Sequence, residues 1–393
     1  MKVKKFIFPT LLAATVFLVS IYCQRFTILR QEGLGLFLLT PDFFRDLLFD
    51  PFPLSNLAGS FLVQFYDNFY VGAAIIAAMV VTIFFIAKAL TRRLSLDIEA
   101  LNVILACAAW FFIARAANPS MGMAIIFCSS AALALVSIVR RFFSRERKDR
   151  SLPIALDISA GIVVLLAVSV AIWKSPFVRE GEKWSKIEFA AVQGEWKYLL
   201  RVATVKEAER DIQVVPFALL ALNAQGRLSD EVDKYPIMEN FGLDFGDEMS
   251  YRRSLFDAVL YNALGCYNEA IHRTHQCGDF LPHCTSFRTL RMLVRENHAL
   301  GDSLMVVKYC DILDRSLSHR EFVRYFRENP CAQRSHNTPA ESAGAPLIVT
   351  KDPMGIMLQM GKADISNPMV MDRYYAYYKV REYFKTASGT TSP

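Results

Sequence analysis

Long apolar stretches in the first 173 residues limit what this chain can fold into more than any other feature. A helix needs about 20 mostly apolar residues to cross the hydrocarbon core of a bilayer, with its backbone hydrogen bonds satisfied internally. No small-x-small cleavage site follows the first stretch, so we expect an anchor rather than a cleaved signal peptide. The sequence predicts an all-α fold in which residues 1–173 form a polytopic transmembrane domain with about five spans. These predicted spans are 6–23, 71–89, 100–114, 121–139 and 154–173.

Lys and Arg are distributed unevenly around the predicted spans. One set of flanks carries Lys2, Lys4, Lys5, Lys88, Arg92, Arg93, Arg140, Arg141, Arg145, Arg147, Lys148 and Arg150, and the opposite set carries Arg25, Arg30, Arg45 and Arg115. Basic residues are retained on the cytoplasmic side during insertion. We therefore predict a cytoplasmic N terminus, and an odd number of spans places residues after Trp173 outside. In a bacterium, that location is the periplasmic side of the inner membrane.

Composition excludes several classes of function. A mean hydropathy of +0.26, with 53% hydrophobic and 21% charged residues, argues against a soluble enzyme. The excess of Lys and Arg over Asp and Glu lies in the apolar half, 16 against 10 over residues 1–173 and 28 against 28 afterwards, so we expect no nucleic-acid partner. No Walker motif, dinucleotide fingerprint, nucleophile elbow or HExxH sequence occurs, and no cofactor is expected.

The long loop 24–70 is too apolar for a simple connection. Thr40-Pro41-Asp42 supplies an N-cap, a proline at the first helical position and an acid near the positive end of the helix dipole. The helix that follows is amphipathic and is broken by Asp50-Pro-Phe-Pro, which favours an element lying in the outer membrane interface. If the protein is an enzyme, the candidate catalytic residues of this loop are Glu32, Asp42 and Arg30.

Polar residues near the predicted spans are either functional or located at helix ends. Lys88 and Arg115 are expected to extend toward the interface from span ends. Asp157 lies within one turn of the cytoplasmic end of the fifth span, where it can pair with the basic loop before it. A transport or proton role for Asp157 is the less favoured alternative.

Residues 174–329 contain four regularly spaced glycine turns. Gly194, Gly226, Gly265 and Gly301 are 32, 39 and 36 residues apart, a period typical of helical-hairpin repeats. The clearest unit is 251–284, in which Tyr261 precedes Gly265, a small residue follows at Ala270 and Pro282 closes the segment. This unit resembles a tetratricopeptide (TPR) repeat. The four turns therefore predict an extracytoplasmic TPR-like domain with a surface for a partner protein. A compact helical domain with coincidentally spaced turns is the alternative.

Potential metal ligands and thiols are concentrated in the same region. The low-probability metal cluster consists of His272, His275, Cys277, His283 and Cys284. Its spacing matches no recognised zinc pattern, so we predict no metal site. Five cysteines fall in the predicted periplasmic part, where disulfides persist, and Cys277 with Cys284 is the first pair to test. Free buried thiols between helices are equally compatible with the sequence.

The last part of the chain changes composition twice. Residues 330–350 are rich in Ser, Ala, Pro and Asn and predict a linker. A C-terminal helical segment, 351–386, includes the N-cap pair Asn367-Pro368 and a Tyr-rich helix that we expect to pack on the repeats. Residues 387–393 are expected to be disordered.

Several dispersed residues resemble an uncharacterised family of Bacteroidetes multi-pass membrane proteins, known only as a domain of unknown function. The resemblance implies membrane spans followed by a helical-repeat region, and no activity. The residues that carry it are Arg30-Gln-Glu32, Leu36-Phe37, Gly59 to Tyr70, Leu264-Gly265, Glu269-Ala270, Lys308-Tyr309 and Asn367-Pro368-Met369.

Two functions of different classes remain. The first is a protein embedded in the bilayer whose outward helical domain binds a protein or peptide on the periplasmic side, or serves as an envelope scaffold. The second is a membrane transferase, similar to polytopic glycosyltransferases, that uses acids of the first periplasmic loop on a lipid-linked substrate. A transporter ranks third, because the sequence lacks repeated broken helices and paired intramembrane charges.

Overall fold

The computed structural model describes residues 4–96, 98–142, 153–237, 249–331 and 367–387. The chain forms two compact units, one of residues 1–185 with 315–318 and the other of residues 186–314 with 319–393. The described residues are helical and contain no strand, which confirms the all-α prediction. Most of the predicted linker at 330–350, the first part of the C-terminal segment and most of the tail lie outside the described residues.

The first unit contains eight helices and the first part of a ninth. Their bounds are α1 Lys4–Cys23, α2 Arg25–Leu34, α3 Pro41–Leu48, α4 Pro53–Val63, α5 Phe69–Arg93, α6 Glu99–Ala116, α7 Pro119–Phe142, α8 Ile154–Lys174 and α9 Pro176–Gln193. A 3-10 turn, Gln64–Asp67, joins α4 to α5.

Three helices of this unit are long and apolar enough to cross a membrane: Phe69–Arg93, Pro119–Arg140 and Leu156–Lys174. A fourth candidate is α1 together with α2, which are bent by 80° relative to each other. The sequence predicts five spans, whereas length and composition in the structure support three to four. Helix α6 is the difference, because only residues 100–114 lie between Glu99 and Arg115.

Polar contacts join several helices at one end of this unit. The Asp157 carboxylate, in the first turn of α8, accepts hydrogen bonds from the backbone N–H groups of Glu99 at 2.9 Å and Ala100 at 2.8 Å. Asp157 therefore caps the N terminus of α6, where the helix dipole favours a negative charge. The pairing expected between Asp157 and the basic loop before it falls largely on residues 143–152, which lie outside the described residues. Nearby, Lys88 pairs with Glu99.

Three other contacts lie at the opposite end of the first unit. The Gln24 amide, immediately after α1, donates to the carbonyl oxygen of Ala114. The Glu182 carboxylate of α9 accepts from the backbone N–H of Phe26 at 3.2 Å and of Thr27 at 2.9 Å, and so caps α2. Arg115 lies over the ring of Phe177, with 4.2 Å between its guanidinium carbon and the ring centroid. Arg115 is thus at the end of α6, as the sequence predicts.

Helix α5 forms much of the apolar interior between these ends. Ile76, Val80 and Phe84 of α5 are buried, as are Cys107 and Trp110 of α6. Where lipid surrounds a bundle, apolar burial gives little net driving force, and close packing between helices stabilises it instead.

Short helix α3 begins as the sequence predicts, whereas α4 begins at Pro53, within the segment that the sequence predicts as a helix break. The Thr40 hydroxyl accepts from the N–H of Phe43 at 3.3 Å, and Pro41 is the first residue of α3. Phe37, ahead of α3, makes edge-on contacts with Phe43 at 5.8 Å and with Phe61 of α4 at 5.4 Å between centroids. These aromatic contacts fix the two helices relative to each other.

Among its described residues, the second unit contains the end of α9 and ten further α-helices. Their bounds are α10 Trp196–Val202, α11 Val205–Arg210, α12 Val215–Asn223, α13 Leu228–Glu231, α14 Tyr251–Ala263, α15 Tyr267–Asp279, α16 Phe287–Leu300, α17 Ser303–Leu313, α18 Arg320–Glu328 and α19 Pro368–Ala387. From α14 to α18 each helix packs against the next one in the chain.

The four predicted glycine turns all separate pairs of helices. Gly194, Gly226, Gly265 and Gly301 have φ angles of 69°, 64°, 79° and 83°. This left-handed conformation ends a helix and is costly for residues with a Cβ atom. The prediction that these glycines make the turns is confirmed, and α14–α15 and α16–α17 are the two longest hairpins.

The C-terminal helix also begins where the sequence predicts. The Asn367 side chain accepts from the N–H of Met369 at 3.0 Å. Farther along α19, the Asp372 carboxylate accepts from the N–H groups of Leu228 at 3.0 Å and Ser229 at 2.9 Å and caps α13. Ala376 is buried in the apolar cluster of α12 and α13.

Candidate functional site

The exposed faces of α15 and α17 form the candidate site, which we call the hairpin surface: His272, His275, Leu304, Val307 and Lys308. Helices α14 and α16 are largely buried, whereas α15 and α17 each keep one face exposed. Leu304 is 80% exposed, which is unusual for a large apolar side chain.

A contact between α15 and α17 makes this surface continuous. The hydroxyl of Tyr309 on α17 lies 3.4 Å from Nε2 of His275 on α15. Partial burial lowers the pKa of His275 below its usual value, so the ring is neutral at neutral pH. The surface therefore combines the neutral ring of His275, the apolar side chains of Leu304 and Val307 and the cation of Lys308.

Behind the hairpin surface lies a buried polar interior. Arg288 of α16 donates to Glu188 of α9 at 2.9 Å and to the Tyr251 hydroxyl at 3.1 Å. These charge-assisted contacts raise the pKa of Arg288 above its ordinary value, despite its burial. Glu296 accepts from Thr274 at 2.8 Å. Both contacts connect helices of the stack and so position the outer faces.

The five predicted metal-ligand residues are not arranged as one site. His272 and Cys284 are exposed, His275 contacts Tyr309, and Cys277 is fully buried. Burial raises the pKa of the Cys277 thiol far above its usual range, which disfavours the thiolate that a metal needs. In the described part of the chain, no group of three or more His, Cys, Asp or Glu side chains is placed to hold a metal ion.

The cysteines are free thiols in this structure, including Cys277 and Cys284. Cys266, Cys277 and Cys310 are buried among the helices of the second unit. They match the alternative given by the sequence, in which free thiols pack between helices.

The three candidate catalytic residues of the first loop differ in their surroundings. Glu32 in α2 is 2% exposed, and Arg30 is half-buried. The side chain of Asp42, at the start of α3, is 86% exposed and lies 3.8 Å from Arg45. Asp42 thus behaves as a solvated helix-terminal acid, whereas Glu32 is enclosed by protein.

The profile of a family of unknown function, DUF6057, matches the chain over residues 1–189 and again over residues 119–372. The chain belongs to DUF6057. No curated protein matches it. No solved structure matches it either. Membership of DUF6057 therefore assigns a family to the apolar helices and to the hairpins, but no reaction.

Sequence reasoning missed two carboxylates that organise this DUF6057 chain. Glu182 caps α2 and Asp372 caps α13 from more than 140 residues away, as the hydrogen bonds at 2.9 Å show. A capping acid is recognisable in sequence only when it lies next to its helix. For Glu182 and Asp372 the one available signal is an acid on the buried face of an amphipathic helix.

Proposed function

We propose that this protein is a multi-pass protein of the bacterial inner membrane whose second unit faces the periplasm and binds a protein or peptide, as a TPR-like scaffold. The single observation that carries the binding role is the hairpin surface, with Leu304 80% exposed beside Val307. Three observations support this proposal: the contacts of α6 at the two ends of the first unit, the position of the cations and the chemistry of the hairpin surface.

Contacts at the two ends of the first unit support five crossings. At one end, Asp157 of α8 caps α6, and Arg140 near the end of α7 donates to Ser95 at 2.8 Å, just after α5. At the other end, Gln24 after α1 donates to Ala114 near the end of α6. Helix α6 therefore runs between the same two ends as its neighbours. Its 18 residues span about 27 Å, close to the thickness of the hydrocarbon core.

The distribution of cations supports a cytoplasmic location for the Asp157 end. Arg92 and Arg93 end α5 there, and Arg140 lies at the end of α7. Basic residues that flank spans stay in the cytoplasm. With five crossings, α8 then emerges on the opposite side, and the second unit is periplasmic.

Stacked hairpins favour protein binding because each presents one helix face in a regular array. On the hairpin surface, the apolar pair Leu304 and Val307 lies beside Lys308, whose charge would complement an acid next to an apolar side chain of the partner. The buried pairs Arg288–Glu188 and Thr274–Glu296 hold the helices behind it. A preorganised surface loses less entropy on binding.

Site-specific photo-crosslinking in intact cells tests this role. A photoreactive amino acid is placed at Leu304 or Val307, and at Glu209 on α11 as a matched exposed control away from the hairpin surface. We expect one discrete crosslinked species at Leu304 and Val307 and none at Glu209. Absence of any species at Leu304 and Val307, with normal expression, would contradict the proposal.

The transferase alternative stays a prediction, and one observation favours Glu32 as its acid. A buried carboxylate is a more plausible general base than the solvated Asp42. If the protein is a transferase, Glu32→Gln abolishes complementation of a deletion phenotype, whereas Asp42→Asn retains it. Full complementation by the double variant would remove this alternative.

A further inference from the structure

The turn between α3 and α4 exposes a dense set of apolar side chains, which we call the elbow: Leu48, Phe49, Phe52 and Leu54. Phe49 is 84% exposed and Phe52 62%. Four large apolar side chains within seven residues of chain are costly to leave in water. The elbow therefore needs an apolar surrounding.

Helix α4 approaches the bundle more closely than large side chains would allow. Its buried face consists of Ser55, Gly59 and Val63, spaced four residues apart. A Cβ atom at Gly59 would overlap the backbone and side chain of Ser120, at the start of α7. Small residues at every fourth position are typical of helices that pack within a membrane. Helix α4 also carries no charged residue.

The ends of α4 lie at different depths. Val63 adjoins Gly35, after α2, in the layer of short helices at the Gln24 end of the bundle. Gly59 adjoins Ser120, and α7 begins only one residue earlier. Because α4 packs extensively along α7, its Pro53 end must lie beside later residues of α7, deeper in the bundle. At 11 residues, α4 is about 16 Å long, half of a span.

Two side-chain hydrogen bonds are made within this segment, which lowers the cost of a lipid surrounding. The Asn56 amide donates to the Asp50 carboxylate at 3.2 Å, and the Ser55 hydroxyl donates to the carbonyl oxygen of Phe52 at 3.0 Å. The charged residues Asp42, Arg45 and Asp46 lie on the exposed face of α3, away from buried Phe43 and Leu47. They suit contact with water and headgroups.

We propose that α3, the elbow and α4 form a re-entrant hairpin, and that the elbow inserts among the acyl chains of the leaflet at the Gln24 end of the bundle. The partner is the lipid itself, because α4 packs along α7, which is long and apolar enough to cross a membrane and is almost entirely exposed. This inference requires that the first unit lie in a membrane. It does not depend on the direction of insertion or on the binding role of the second unit.

Depth-dependent quenching tests the hairpin in the full chain. The exposed or half-exposed cysteines Cys23, Cys128, Cys284 and Cys331 are replaced by serine, and an environment-sensitive fluorophore is attached at Phe52→Cys, Phe49→Cys or, as the matched control, Asp46→Cys. The proteins are placed in nanodiscs of phosphatidylethanolamine and phosphatidylglycerol. Some nanodiscs contain lipids with a nitroxide in the acyl chain, and the others are exposed to iodide in the water.

At Phe49 and Phe52 we expect blue-shifted emission and several-fold stronger quenching by the acyl-chain nitroxide than at Asp46, with the reverse order for iodide. Equal iodide quenching at all three positions would overturn the proposal. Leu54→Cys provides an independent position if one variant fails to form a monodisperse sample. A fluorophore at Leu54 that is quenched by iodide alone contradicts the hairpin equally.

Discussion

At the scale of single residues, Glu296 shows how burial makes stability depend on pH. Burial raises its pKa from 4.5 to about 8. Between these values the folded state keeps a proton that the unfolded state has released, so stability is greatest below 4.5 and declines as the pH rises toward 8. The neutral form also suits the apolar surroundings of Glu296 in α16, next to Thr274.

Replacing Glu296 by glutamine should remove this dependence. The Gln side chain is neutral, has nearly the same shape and can still accept from Thr274. We expect Glu296→Gln to unfold at about the same temperature as the wild type near pH 5, and to be more stable at pH 8. The difference is on the order of a few kcal/mol, from about 1.4 kcal/mol per pKa unit. Thermal unfolding of the purified full chain between these pH values measures it.

Glu321→Gln on the exposed face of α18 is the matched control for Glu296→Gln. It removes the same charge from a carboxylate in solvent and should leave the pH dependence unchanged. A Glu296→Gln protein whose stability declines with pH as steeply as the wild type would show that Glu296 is ionised in the folded state.

Asp372 is the second residue with a measurable role, because it caps α13 from a distant helix. Asp372→Ala leaves the N–H groups of Leu228 and Ser229 without their acceptor. We expect a loss of about 1–2 kcal/mol in stability and faster proteolysis of α19. Asp230→Ala is the control: Asp230 lies in the first turn of the same helix but is exposed, and should cost only a few tenths of a kcal/mol. Equal effects of the two variants would contradict the cap.

At the scale of elements, the glycine turns define the hairpins. Gly301 ends α16 with a φ of 83°, so Gly301→Ala forces a Cβ atom into the left-handed region at a cost of about 1–2 kcal/mol. Gly181, inside α9, has helical geometry and open space around it. Gly181→Ala should therefore be neutral or stabilising, by up to about 1 kcal/mol. Chemical denaturation of both variants checks the contrast, and a destabilised Gly181→Ala beside an unaffected Gly301→Ala would reject the turn assignment.

Elements with local signals were predictable from the sequence. Thr40 and Asn367 lie next to the helices that they cap, and the glycines lie between the helices that they separate, so each signal is contained within a few residues. Helix existence in the apolar half was equally predictable from length and composition. The number of spans was less predictable, because the position of α6 in the bundle follows from its packing with α5 and α8 rather than from its own apolar length.

Contacts between distant parts of the chain could not be predicted. Asp157 and Glu182 cap helices that begin far from them, and the Arg288–Glu188 pair joins residues 100 positions apart. Such pairs form only once the helices are packed. No fixed spacing along a single sequence therefore identifies them. For the candidate site, the hairpins were predictable, but the exposure of Leu304 and the contact of His275 with Tyr309 were not.

At the scale of the whole molecule, the binding proposal and the transferase alternative share one requirement, the direction in which the chain crosses the membrane. Five crossings with the Asp157 end in the cytoplasm place the second unit outside. Four crossings would place it in the cytoplasm, and a periplasmic partner would then be impossible. The orientation of the second unit is therefore the claim on which the proposed function depends.

Native Cys284, which is exposed in the second unit, reports this orientation directly. Spheroplasts are treated with a membrane-impermeant maleimide before or after permeabilisation, and Cys284→Ser identifies the labelled site. Arg93→Cys in the Cys284→Ser background, exposed at the end of α5, is the cytoplasmic control. We predict that Cys284 is labelled in intact spheroplasts and that a cysteine at position 93 is labelled only after permeabilisation. Labelling of Cys284 only after permeabilisation would contradict the account.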